Sequence, residues 1–460
     1  MTQQFAQLGG AASSNPSRLK RWVASRIMRR WADPVLREKS REKFETRRCK
    51  AGLPHRVEYF HQIDDPYSHL AVQLLAPLLE HYAIDIVPHL VSASIGANTP
   101  EPTLLAAYAR HDAGLVAPHY GLDFDLEVDG LNPEHIALAT RILAQADPAD
   151  VSTFARLAVE LGEVLWCGNA EALQQLAERA GAMDAGLAAA VVERGNRRRQ
   201  KMGHYSGAMF YYAGEWYWGV DRLYHLENRL QSLGASNSRE RRLLAPRPLI
   251  DTGRLSADGR LTLEIYMSLR SPYTSIIFDR AVKLATDTDV ALILRPVLPM
   301  VMRGVPVTRE KGHYIFRDTA REAQTLGLNW GCIVDPIGDP VRRAYSLYPW
   351  ADQQGRGAEL LSAFMHAAFF QGIDTNTDAG MQRVVEAAGL DWHVAQQHAD
   401  SDGYAEQLEE NRLAMYGFGC WGVPGFRLLD ERGETLLAVW GQDRLWLVAR
   451  TIQQVLAGKQ

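Results

Sequence analysis

The chain repeats itself, and the repeat limits its fold more than any other feature. Residues 263–274, LEIYMSLRSPYT, are answered by residues 57–68, VEYFHQIDDPYS, and a constant shift of 206 positions carries the match without a gap from Val57 to Phe124, opposite Trp330. A second block, WGVDRL at 218–223, answers WGQDRL at 440–445. One domain plan is used twice.

The repeated stretch has a readable local structure. Leu263, Ile265 and Met267 alternate with Glu264, Tyr266 and Ser268, which predicts a half-buried strand. Ser271 can accept a backbone N–H as the N-cap of a helix, and Pro272 suits the first helical position because its missing donor costs nothing there. The unpaired N–H groups of that first turn, at the positive end of the macrodipole, favour a carboxylate, phosphate or thiolate. An ordinary helix start explains Ser-Pro equally well, so the surrounding pattern must decide.

Residues 1–16 are small and polar. From Ser17 to Arg48 the pattern is helical and basic, with Trp22, Val23, Ile27, Met28 and Trp31 on one side of several arginines. Residues 1–50 hold 13 Lys/Arg against 4 Asp/Glu, although the whole chain carries a net charge of −4. Such a segment can lie on an anionic membrane or an acidic partner; the expectation favoured here is that it packs its apolar stripe on its own protein.

A first domain is expected over 55–233. It opens with a strand from His55 and a helix, followed by a second strand at 83–90. A helical region over 133–201 is broken at Asp147-Pro148, Gly168-Asn169 and Gly181. A hairpin turning at Ala213-Gly214 and a last helix through Leu233 close the domain. Residues 234–261, rich in Arg, Pro, Ser and Gly, read as a linker. The order then recurs in 262–460: strand 263–268, helix 272–286, strand 290–297, helices over 311–415, hairpin 426–439, helix 443–457. The unit is β-α-β, helical insert, β-β-α, an α/β plan that fits a thioredoxin fold with an all-helical insertion.

Four motifs then carry a resemblance. Ser271-Pro272-Tyr273, the helix with Lys311, Tyr314 and Asp318, the loop Gly419 to Phe426 (GCWGVPGF), and the WGQDRL start of the last helix stand in that order. Together they resemble the DsbA-like thioredoxin superfamily, closest to its 2-hydroxychromene-2-carboxylate isomerases and kappa-class glutathione transferases. The resemblance implies two tandem domains of that type and a glutathione site in the second. There Ser271 faces the glutathione sulfur, Pro424 is cis, Val423 pairs with the peptide backbone, Gln442 and Asp443 hold the γ-glutamyl end, and Lys311 orients a carboxylate. Two positions depart from the family pattern: residues 298–306 form a short apolar loop, and Gly425 stands where Thr is commoner.

A thiol with a pKa of about 8.5 needs help to ionise near neutrality, and a helix N-terminus or a hydrogen bond from Ser271 can supply it. Serine has no thiol with which to exchange disulfides. The reaction implied is attack of a bound glutathione thiolate on a small electrophile, with transfer or isomerisation as the outcome. Two other readings stay open: a DsbA-like thiol-disulfide oxidoreductase and a non-catalytic two-domain binding protein. The first copy has Asp65 for Ser271, Leu105 for Lys311, and Ser206-Gly207-Ala208-Met209 for Gly422-Val423-Pro424-Gly425. It is expected to be a degenerate partner in an intramolecular pseudo-dimer.

Other chemistry finds no signal. Cys49, Cys167, Cys332 and Cys420 form no C-x-x-C pair, so neither a disulfide framework nor a zinc site is indicated, and a reducing, cytoplasmic setting is expected. The acidic residues from Asp123 to Glu134 lack the glycine of a calcium loop because Val128 stands there. No metal, nucleic acid or transmembrane segment is expected.

Overall fold

The chain forms two four-stranded sheets in a computed structural model that describes residues 15–238, 241–399 and 403–458. The chain divides into two units. One spans Val35–Arg247; the other joins the described residues up to Pro34 with those from Pro248 onward.

Helix α1, Arg18–Ala32, precedes α2, Pro34–Lys50. The unit containing α2 then builds β1 (His55–Gln62), α3 (Pro66–Val72), α4 (Leu75–His81), β2 (Ile84–Val91) and α5 (Pro102–Tyr120). Four further helices, α6 (Pro133–Leu143), α7 (Val151–Trp166), α8 (Ala170–Ala180) and α9 (Ala185–Lys201), form the insert, and their breaks fall at the Pro and Gly signals. Strands β3 (Met209–Tyr212) and β4 (Glu215–Trp218) and helix α10 (Leu223–Ser232) complete it. The β3–β4 turn is two residues long, and Ala213 and Gly214 both take positive φ, 44° and 91°, as the right-handed twist of a hairpin requires.

The other unit follows the same order. It contains β5 (Thr262–Met267), α11 (Pro272–Thr288), β6 (Ala291–Pro296) and α12 (Arg309–Thr325). Its insert holds α13 (Asp339–Gln353), α14 (Gly357–His366), α15 (Asp378–Ala387), the single turn α16 (Trp392–Ala395) and α17 (Tyr404–Gly417). Strands β7 (Gly425–Leu429) and β8 (Thr435–Trp440) and helix α18 (Leu445–Leu456) follow. Strand order is β2-β1-β3-β4 in one sheet and β6-β5-β7-β8 in the other. In each, the first two strands run parallel and the others antiparallel.

Several expectations change in the structure. Strand β5 is buried on both faces rather than one, because it is central and helices cover both sides of the sheet. Its Glu264 is therefore paired, accepting from Arg295 at 2.6 Å and from the Tyr266 hydroxyl at 2.9 Å, as a buried carboxylate requires. The expected helix after β1 is two short helices separated at Gln73-Leu74. The basic N-terminal segment breaks in two at Asp33-Pro34, since Pro34 cannot continue α1. Nor does α1 bury its apolar stripe: Arg21, Ser25 and Ala32 are buried, whereas Trp22, Val23 and Ile27 are exposed. The reading of residues 1–14 lies outside the described residues.

Candidate active site

The site is built where α11 begins. Strand β5 ends at Met267, and the chain turns so that the Ser271 amide donates to the Ser268 carbonyl at 3.0 Å. Ser271, with φ −85° and ψ 116°, is the N-cap: its Oγ accepts from the Thr274 amide at 3.2 Å. The same hydroxyl donates to the Val423 carbonyl at a long 3.4 Å. Its proton is thus held weakly and can be redirected to a better acceptor. One turn on, the buried Thr274 hydroxyl has no partner among the described residues.

The opposing wall is the loop before β7. The Val423–Pro424 peptide bond is cis. Pro424 is tied to the end of β8, because its carbonyl accepts from the Gly441 amide at 2.9 Å. Gly422 has no room for a side chain, since a Cβ there would lie 2.3 Å from the Trp440 indole. Trp421 and Trp440 pack with ring centroids 5.1 Å apart. Cys420 is buried at the base of this loop, 1 % exposed.

Helix α12 supplies polar groups from one face. Lys311, Asp318 and Glu322 are spaced by seven and four residues, two turns and then one. Thr308 caps the helix by accepting from the Lys311 amide at 3.2 Å. The Lys311 ammonium lies 5.3 Å from the centre of the Trp421 ring, within cation–π range. Burial pushes its pKa down to about 8. Asp318, fully buried, accepts from the Tyr273 hydroxyl at 2.8 Å and from Arg321 at 2.8 Å, so Tyr273 fixes the α11 start against α12.

Gln442 is also buried. Its Nε2 donates to Glu322 at 3.0 Å, while its Oε1 finds no donor among the described residues. Asp443 does not cap the last helix; α18 starts at Leu445 behind Arg444, and the Asp443 carboxylate sits 3.6 Å from the Arg444 guanidinium.

Of the residues singled out, Ser271, Val423 and Pro424 are joined by direct or successive contacts, and the WGQDRL turn is hydrogen-bonded to Pro424. Lys311 meets the loop through Trp421. Sequence reasoning missed Glu322 and Trp421. The three-turn spacing from Lys311 gave a signal for Glu322; Trp421 had none beyond its adjacency to the Gly-Val-Pro run. The 298–306 loop contains a 3₁₀ turn, Met300–Arg303, braced by Arg303 donating to the Leu298 carbonyl at 3.2 Å.

Cysteine chemistry has no comparable support. None of the four cysteines forms a disulfide, and Ser271 occupies the helix start itself. Exposed Cys332 lies in a stretch bonded to the turn that follows α14, where Gly331 donates to Phe369 and Val334 to Ala368. No group of His, Cys, Asp and Glu that could hold a metal occurs among the described residues. No helix there is long and apolar enough to cross a membrane.

Residues 262–453 match the family model of the DSBA-like thioredoxin domain. This part of the chain is similar to that domain, and it has a mixed α/β fold. Among solved structures, the chain is similar to a 2-hydroxychromene-2-carboxylate isomerase, at 20% identity over 43% of this chain and 97% of that one, TM-score 0.36. It is also similar to a probable DsbA oxidoreductase from Streptomyces coelicolor, at 20% identity over 44% and 91%, TM-score 0.33. A third is a putative protein disulfide isomerase from Nitrosomonas europaea, at 12% identity over 42% and 98%, TM-score 0.34. No curated protein matches.

Proposed function

We propose that the second unit is a glutathione-dependent isomerase or transferase acting on a small electrophile in a reducing, cytoplasmic setting. The observation that carries this reading is the Ser271 hydroxyl at the first turn of α11, its proton resting only on a distant Val423 carbonyl. Glutathione, when bound, supplies a nucleophilic thiolate. Ser271 donates to the developing negative charge and the helix N-terminus stabilises it, which is how a thiol is kept ionised at neutral pH.

The residues present fit that ligand. The buried, unpartnered Gln442 Oε1 is an acceptor suited to an ammonium, and Glu322 behind it adds negative charge. Lys311, charged below about pH 8, attracts a carboxylate. Asp443 and the Val423 backbone complete the proposed contacts. Four cysteines outside any disulfide accord with the reducing setting.

Calorimetry on the intact protein and on Ser271→Ala tests the reading. Micromolar-to-millimolar glutathione binding is expected, with the thiol's lowered pKa lost in the variant. Affinity should fall as pH rises through 8, because Lys311 then loses its charge. Absence of binding by either protein would leave a DSBA-like domain that binds something else. The oxidoreductase reading predicts loss of activity in Cys332→Ser or Cys420→Ser; the glutathione reading predicts none.

A further inference from the structure

Helix α1 is mounted with its polar side inward. Arg21 donates to the carbonyls of Asp335 and Ile337 at 2.9 and 2.6 Å. The Ser25 hydroxyl accepts from the Asp335 amide at 3.0 Å, and the Arg29 Nε donates to the Ile333 carbonyl at 2.6 Å. Trp31 closes the end against His313 and Phe316 of α12, with centroids 5.2 and 6.2 Å apart. These contacts fix the helix about its own axis. It cannot roll its other face inward without leaving the buried guanidinium and the carbonyls of residues 333–337 unpaired.

The outward face is therefore held in water, and it is apolar. Leu19 and Trp22 are 71 % and 59 % exposed, and Val23 and Ile27 about 40 %. On a helical projection Leu19, Trp22, Val23, Arg26, Ile27 and Arg30 share one side. The Arg26 guanidinium lies 5.6 Å from the Trp22 ring centre. The sequence RLKRWVASRIMRRWA holds six basic residues and no carboxylate. A contiguous apolar face of this kind is uncommon on a soluble surface, and α1 lies outside the 262–453 family match.

We propose that α1 docks the protein on an anionic phospholipid surface. Leu19, Trp22, Val23 and Ile27 enter the headgroup boundary, and Arg26 and Arg30 extend to the phosphates on their apolar stems. Charge complementarity selects this occupant. A second copy seated face to face would set arginine against arginine, whereas lipid phosphate neutralises them. Arginines interleaved with the apolar residues, rather than segregated from them, suit an interface in which depth varies over one side chain's length. This inference is independent of the glutathione reading.

The test uses the full chain and sedimentation with vesicles of phosphatidylcholine alone or mixed with phosphatidylglycerol. Association with the mixed vesicles only is expected, weakening as salt is raised. Arg26→Gln with Arg30→Gln should weaken it about 25-fold, from roughly fivefold per charge. Trp22→Ser with Ile27→Ser should abolish it. All four positions are exposed, so circular dichroism should match wild type. Three results would overturn the proposal: no association with either vesicle, equal association by both variants, or a dimer in sedimentation velocity that the Trp22/Ile27 variant dissociates.

Discussion

The two sheets are built alike and end differently. Tyr67 donates to Asp112 at 2.8 Å in one unit, and Tyr273 donates to Asp318 at 2.8 Å in the other, both across 45 residues. Glu58 on β1 meets His89 and Arg198, and Glu264 on β5 meets Arg295 and Arg427. The helix start differs. In the first unit the cap is Asp65, and Ser68 donates to it at 2.7 Å while accepting from the amides of Gln62 and Ala208. Ala208 has φ 52° where the second unit has its cis Val423–Pro424 bond. The first loop is thus tied directly to its helix, and burial pushes Asp65 up to about 6. In the second unit the cap is a hydroxyl whose proton is loosely held. The two frames share contacts inside the sheet and between helices, and they differ in the contacts of two short loops.

Moving the first unit's cap into the second is the sharpest way to break the comparison. Ser271→Asp keeps an N-cap but replaces a proton donor with negative charge. Turnover with glutathione should fall about 10²–10³-fold, the effect of removing one donor to a developing anion, and thermal unfolding should hardly change. Retained turnover would make Ser271 a scaffold residue.

Acid should separate the two units next. Burial holds His61, His69 and His204 of the first unit neutral, with pKa values down to about 3, 4 and 3. An unfolded histidine binds a proton near 6.5. As pH falls from 6.5 toward 4 the unfolded chain takes up protons that the folded unit refuses, so stability is lost in that window. In the second unit His366, raised by Asp279, works in the opposite sense, although buried His313 does not. Hydrogen exchange followed from pH 7 to 4 should show the strands of the first unit opening before those of the second.

A smaller effect is expected at the glycines that let each loop close. Gly422→Ala would press a methyl group onto the Trp440 indole, and Gly207→Ala one onto Gln62, 2.7 Å away. Each should cost about 1–3 kcal/mol by overpacking, read from denaturant midpoints. Only Gly422→Ala should also weaken glutathione binding, because only that loop faces a ligand in the proposed function.

The sheets and helix starts were legible because their signals are local: alternation, Ser-Pro and Asp-Pro caps, and glycines at breaks. The caps at Ser271 and Asp65 could be read from a few residues each. What the sequence hid depends on contacts across the fold. Burial of Glu264 follows from a central strand with helices on both sides; a window of alternating residues cannot report the second layer. The inverted mounting of α1 was unreadable for the same reason. Nothing in 17–48 says that residues 333–337 offer carbonyls for Arg21 and Arg29, and these override the ordinary preference for burying the apolar side. At the site, Ser271 and Pro424 stood in motifs, whereas Trp421 acquires its place by proximity to Lys311.

The weakest expected perturbation tests whether the first unit is chemically silent. Asp65→Ala removes an N-cap worth about 1 kcal/mol, and two amides, those of Tyr67 and Ser68, lose their acceptor. The loss is partly offset, since the carboxyl removed is one whose ionised form burial already disfavours. The variant should therefore unfold slightly earlier near pH 5 and gain ground as pH rises through 6, where wild type must hold the charge. Glutathione-dependent turnover should remain within error, because Ser271, Lys311 and Gln442 all lie in the other unit. A tenfold fall in turnover without a matching loss of folded protein would show that Asp65 takes part in the chemistry, and the division into a bare frame and a working site would have to be abandoned.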